Sequence, residues 1–215
     1  MDCLPCGYHR YYYLTDEMMK KELEDFAKHE TRAESVKEVE SQLFELYKDP
    51  ALHEMPELLG KRGGKYYSDA ACETINAIYN NTGRVMVVSC ENKGALPDLE
   101  DDAIVEVSAR ITRHGAEPLA FGHFEPAVRG MVQLMKAMEE TIIEAALTGN
   151  YNKALEAFQI NPLVKHGKCA QALLDEMLVA HKKYLPQFAE KIAELEAKGV
   201  TVQDETARKL CEAGL

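Results

Sequence analysis

Apolar residues recur at three- and four-residue spacing through most of this chain and at two-residue spacing in one stretch near its middle. The pattern predicts helices around a small sheet. A first helix starts at Thr15 or Asp16 and runs to about His29, with Met18, Met19, Leu23 and Phe26 on one face. Its early acids, Asp16 and Glu17, suit the positive end of the helix dipole. Thr31 opens a second helix, with Glu34 three residues later completing a capping box. Its buried face is Val36, Val39, Leu43, Leu46 and Tyr47, and Asp49-Pro50 ends it. Residues 51–61 form an irregular link. Ser68 or Asp69 then caps a helix through Asn80 that turns Ala71, Ile75 and Ile78 to the core.

A turn at Asn80-Asn81-Thr82-Gly83 leads into a strand over 84–90 with a near-continuous apolar run. Asn92, Gly94 and Pro97 mark a loop. Residues 104–113 alternate cleanly, as a half-buried strand does, and His114-Gly115 turns the chain into a third strand over 118–121. A long helix over 126–147 follows, with Pro126 at its favoured first position. Shorter helices are expected over 151–158 and 169–183, divided by Asn161-Pro162. The highly charged 186–198 stretch and a last polar helix to about Cys211 read as a peripheral tail. The fold class is α+β, with helices around a small antiparallel sheet.

Composition narrows the function. The chain has 215 residues, 46% apolar and 28% charged, enough for one large domain or two small ones. A net charge of −11 argues against a nucleic-acid surface, which needs clustered Lys and Arg. No apolar run approaches the ~20 residues of a membrane-spanning helix, and no signal-peptide pattern opens the chain. Six scattered cysteines without such a signal read as reduced thiols in a cytoplasm. Cys3-x-x-Cys6 reads as two free thiols, because a zinc site would need a second pair or two histidines at ligand spacing.

Three places carry candidate chemistry. Gly7 to Asp16 packs four of the ten tyrosines around Arg10. A phenol buried beside a cation has its pKa lowered and becomes a candidate base, although rings in such a run also simply cover a core. Arg32 sits in the first turn of a helix, where a cation opposes the dipole. Either an anion compensates it, or it pairs with Glu34 or Glu38 on the surface. Arg62-Gly63-Gly64-Lys65 feeds a helix N-terminus, a geometry that suits anions and also serves as a plain junction. No glycine-rich phosphate loop occurs anywhere in the chain.

An ordered set of motifs resembles one family. The set runs Tyr8-His9-Arg10-Tyr11-Tyr12; Thr31-Arg32-Ala33; Lys61-Arg62-Gly63-Gly64 with Tyr66-Tyr67-Ser68-Asp69-Ala70-Ala71; and Asn92-x-Gly94-Ala95 with Leu99-x-Asp101-Asp102. It continues with Arg129-Gly130, Thr141 with Glu144-Ala145, and Asn161-Pro162-Leu163. Together they resemble glycoside hydrolase family 4, and within it the 6-phospho-β-glucosidases. The resemblance implies a C-terminal domain like that of lactate and malate dehydrogenases over residues 1–188, with 189–215 as a helical extension. It implies NAD and a divalent metal, usually Mn2+, with a 6-phosphorylated disaccharide or β-glucoside as substrate. The implied chemistry takes hydride from the sugar's C3, lets a tyrosine remove the acidified C2 proton, eliminates the aglycone, adds water and returns the hydride. In this resemblance the base is Tyr8, and Arg32 contacts the 6-phosphate.

The family's chains are about twice as long, and their NAD loop, metal ligands and acid precede the tyrosine segment. Cys3, Cys6 and His9 therefore do not take the place of its metal ligands. The expectation is the C-terminal half of such an enzyme, inactive alone, either homo-oligomeric or paired with an N-terminal half. The alternatives are a non-catalytic dimerisation module, and specificity for 6-phospho-α-glucosides, against which the Tyr-His-Arg-Tyr-Tyr spelling speaks.

Overall fold

The computed structural model describes residues 6–64, 66–164 and 167–203. Described residues up to His123 form one compact unit and those from Phe124 onward another.

The first unit begins with a 3-10 turn, Gly7–His9, and the short helix α1 (Arg10–Tyr13). It continues through α2 (Thr15–Ala27), α3 (Arg32–Leu46), α4 (Leu58–Arg62) and α5 (Tyr67–Asn80), then β1 (Arg84–Glu91), β2 (Ile104–Thr112) and β3 (Gly115–Pro118). The sheet is antiparallel with β2 at its centre. The alternation over β2 does what its pattern predicts: Val105, Val107, Ala109 and Ile111 are buried, and Glu106, Ser108 and Arg110 face outward. Met86, Val88 and Cys90 of β1 complete the inner face, against which α5 packs Ala77. A single methyl at that contact lets helix and sheet approach closely.

Three sequence expectations need correcting here. The face of α5 expected in the core is turned out, and Ile75 is 65% exposed. Thr74 and Ala77, three apart, meet the sheet instead, with the Thr74 hydroxyl 3.8 Å from Met86 Sδ. The third strand lies earlier than 118–121. The turn after β2 is so tight that pairing resumes at once, Thr112 opposite Gly115. Pro118 then closes the strand, since proline has no N–H to donate to the ladder. The 51–61 link is not wholly irregular, because α4 falls at its end.

Asn92 ties the loop between β1 and β2. Its side chain is fully buried, and its amide donates towards the carbonyls of Leu96 (2.9 Å), Leu99 (3.1 Å) and Glu100 (3.0 Å). Two N–H bonds serve three acceptors, so one is shared. Its oxygen accepts from the Leu96 N–H at 2.7 Å. One side chain thus ties three carbonyls and one N–H of the loop together, beside the loop's own backbone bonds.

The second unit contains α6 (Pro126–Thr148), α7 (Tyr151–Ile160), α8 (Lys168–Ala180) and α9 (Ala189–Ala197). Gly149, at φ 70°, ends α6, and Asn150 caps α7 by accepting from the Asn152 and Lys153 N–H groups. The stretch expected to be a peripheral tail proves otherwise. Phe188, Ile192 and Leu195 are buried with Ala145, Ala154, Leu174 and Leu178. Glu190, Glu194 and Glu196 of α9 stay on its outer face while Ile192 and Leu195, three apart, turn inward. The last expected helix, to Cys211, lies mostly outside the described residues, and its expected start over 200–203 is not helical; Cys3 of the Cys3-x-x-Cys6 pair also lies outside them. No described helix is long and apolar enough to cross a membrane.

Tyr151 joins three helices of this core. Its hydroxyl donates to Asp175 Oδ1 at 2.6 Å, and Lys191 Nζ lies 4.4 Å from its ring centroid. Burial first, and the Asp175 carboxylate second, push its phenol up to about 12. A phenol harder to ionise in the folded state stabilises the fold below the ordinary tyrosine pKa of about 10, and that contribution drains away as pH rises through about 12. The unfolding midpoint of the chain should therefore fall between pH 10 and 12, and Tyr151→Phe should flatten that fall. Ile192→Ala should cost about 3 kcal/mol in urea unfolding, as buried aliphatic truncations do, whereas Glu190→Ala on the outer face should change stability by less than about 0.5 kcal/mol.

Candidate phosphate-binding site

The site is built from the N-terminus of α3. Thr31 caps that helix: its Oγ1 accepts from the Glu34 N–H at 3.3 Å, and its own N–H donates to Glu34 Oε2 at 3.0 Å. The predicted capping box is present. The Thr31 hydroxyl also donates to Glu34 Oε2 at 2.7 Å. This bond is the largest cause holding the Glu34 carboxyl below the usual range, followed by the Thr31 backbone N–H. Glu34 further takes His29 Nδ1 at 3.3 Å. Glu38 accepts from Gln42 instead.

Both carboxylates that could have paired with Arg32 are therefore engaged elsewhere. Arg32 reaches across to the end of α4. Its two terminal nitrogens approach the Lys61 carbonyl at 3.4 Å each, and one donates to the Arg62 carbonyl at 2.9 Å. These are the orphan carbonyls of a helix C-terminus, where a cation is favoured. The cation misplaced for its own helix is well placed for its neighbour. Among the described residues no carboxylate lies within ion-pair distance of Arg32, and its side chain is exposed. Arg62, by contrast, is neutralised: Nε and one terminal nitrogen donate to Glu40 Oε1 at 3.1 and 2.8 Å. Gly63, at φ 95°, turns the chain directly after it. Lys65 of the glycine loop lies outside the described residues.

An arginine held by neutral carbonyls keeps its full charge and some of its five donors for a ligand. Such a fork matches a phosphate or carboxylate, and suits phosphate recognition better than a lysine would.

Tyr8 sits in the 3-10 turn and is 72% exposed. The premise of a buried phenol beside a cation is thus not met within this chain. Its ring stacks on Tyr11 at 6.4 Å between centroids, and Arg10 lies over Tyr11, 5.4 Å from its ring centre, rather than over Tyr8. Among the described contacts none joins Tyr8 to Arg32; the structure gathers Arg32 with Lys61, Arg62 and Glu40 instead. Sequence reasoning missed Glu40 and the two carbonyls. The Lys61-Arg62-Gly63-Gly64 motif was a signal for the carbonyl end, but an acid on an exposed helix face gave none.

This chain belongs to glycoside hydrolase family 4: the description "Family 4 glycosyl hydrolase C-terminal domain" matches residues 1–164. Among its relatives, it is 51% identical over 192 residues to a probable 6-phospho-beta-glucosidase of Bacillus subtilis, covering 89% of this chain and 43% of that one. It is 42% identical to the 6-phospho-beta-glucosidase of Escherichia coli, over 91% of this chain and 44% of that one. A 6-phospho-beta glucosidase from Thermotoga maritima, solved with manganese, NAD+ and glucose-6-phosphate, superposes with a TM-score of 0.74. It is 32% identical, over 83% of this chain and 42% of that one. The chain thus spans less than half the length of these relatives.

NAD and manganese are the cofactors in that relative. Among the described residues of this chain no three His, Cys, Asp or Glu side chains converge as a metal site, and the sequence has no dinucleotide loop. The described residues do not by themselves form a site for either group.

Proposed function

We propose that this chain is the substrate-side, C-terminal part of a 6-phospho-β-glucosidase that hydrolyses 6-phospho-β-glucosides by oxidation, elimination and addition. Arg32 grips the sugar's 6-phosphate. Tyr8 removes the C2 proton, its phenolate oxygen accepting it before the aglycone leaves. NAD and Mn2+ serve the complete enzyme mostly through residues outside this chain. The observation that carries the reading is Arg32, an exposed guanidinium held by two carbonyls and left without a carboxylate partner among the described residues. Tyr8 is supported by its place in the Tyr-x-Arg-Tyr-Tyr segment. Specificity for the β-anomer is supported by the two bacterial relatives above. A cytoplasmic location is supported by Cys6, Cys72, Cys90 and Cys169, all free thiols.

A second reading, a non-catalytic dimerisation module, is favoured by a different observation. The apolar face predicted for α2 is open, with Phe26 57% exposed and Leu23 beside it on the next turn. Such a face suits a second copy or an N-terminal half equally. The 6-phospho-α-glucosidase alternative shares the Arg32 chemistry and differs only in the anomer accepted.

Arg32→Ala should weaken glucose 6-phosphate binding, measured by calorimetric titration, by about tenfold or more, the worth of charged hydrogen bonds. An unchanged affinity in a folded variant would favour the dimerisation module. The 215-residue chain alone should show no NAD- and manganese-dependent hydrolysis of a 6-phosphoglucoside. Completed by the N-terminal segment of a family relative, it should become active, and Tyr8→Phe should then lower kcat by about a hundredfold or more, as loss of a general base does. Turnover by the pure chain would overturn this division of labour.

A further inference from the structure

We propose that the Glu40–Arg62 ion pair positions Arg32 for its anion, and that neither Glu40 nor Arg62 meets that anion itself. The proposal rests on the reading of Arg32 as a phosphate contact.

Helix α4 has five residues, too few to hold itself as an isolated helix. The carbonyls that receive Arg32 must therefore be fixed from outside. The shortest of the three Arg32 contacts goes to the carbonyl of Arg62, at 2.9 Å. The side chain of that same residue returns to α3, where Glu40 takes two of its nitrogens on one oxygen. Glu40 stands eight positions after Arg32 on α3, about two helical turns along. One helix thus grips the end of the other twice: Arg32 holds its backbone and Glu40 holds the side chain of the residue carrying that backbone. The ring closes from Arg32 through the Arg62 carbonyl, the Arg62 guanidinium and Glu40 back to α3.

The pair also sorts the charges. Arg62 gives its donors to Glu40, while Arg32 has only neutral acceptors among the described residues. An arriving anion meets one committed cation and one available cation, so it binds at Arg32. Glu40 and Arg62 remain 36% and 43% exposed at the side chain, so the pair is a positioning device rather than a stabilising one.

The test is the double variant Glu40→Gln with Arg62→Met, which removes the pair and leaves the formal charge unchanged. Glucose 6-phosphate titrations on the 215-residue chain should show affinity reduced about three- to fivefold, the upper range for an exposed ion pair. The Arg32 Nε–Hε resonance, recognised by its loss in Arg32→Ala, should broaden in the double variant, a change that a merely structural pair would not cause. The exchanged pair Glu40→Arg with Arg62→Glu should sharpen it again and return the affinity to within about twofold. If the double variant does not fold, Arg62→Lys replaces it, keeping the charge but losing one of the two donors to Glu40, and should give a smaller loss in the same direction. An unchanged resonance and affinity in the double variant, with Arg32→Ala still costing tenfold, overturns the positioning role alone. Arg32→Ala without effect on glucose 6-phosphate overturns the reading beneath it and the proposal together.

Discussion

The reach of one guanidinium from the start of α3 to the last carbonyls of α4 organises the first half of the molecule. A positive charge in the first turn of a helix works against the dipole, and the same charge at another helix's end works with it. The capping box makes the second placement available. Because Glu34 is spent on Thr31 and His29, and Glu38 on Gln42, no local acid draws Arg32 down onto its own helix. The side chain spans the gap and, together with the Glu40–Arg62 pair, ties a five-residue helix to α3. The conflict between a residue and its own element is settled by a neighbouring element, and the settlement leaves a charge facing solvent.

The sheet follows a different economy. Its inner face is filled by small and branched residues, so Ala77 of α5 can approach β2 without a gap. In the loop at its end the buried Asn92 amide supplies the bonds of the Leu96 N–H and the Leu99 carbonyl and adds a second to two further carbonyls, all from one point. Rigidity in this unit comes from a few polar anchors as much as from apolar area.

Much of this was legible in the chain. The capping box of Thr31 and Glu34, the alternation through β2, and the stops at Gly149 and Asn161-Pro162 were all read from local chemistry, which acts over three or four residues. The failures share one cause. The face that α5 buries, the position of β3 and the role of α9 are each decided by what lies opposite, and periodicity is silent about that. At the site the same division holds. Arg32 stood out because it broke a local rule; Glu40 obeyed every local rule, and so its bond to Arg62, 22 residues away, left no trace. Tyr8 was singled out by its neighbours in sequence, yet the cation beside it rests on a different ring.

The burial of Phe188, Ile192 and Leu195 bears on where this chain can be cut. The family description stops at residue 164, but the core it enters is closed by residues some thirty positions further on. Gly149 seals the join, since any side chain there would run into the Gln187 carbonyl. The edge of the family description and the edge of the folding unit are different edges. A fragment trimmed to the first would carry half of a hydrophobic interior into water.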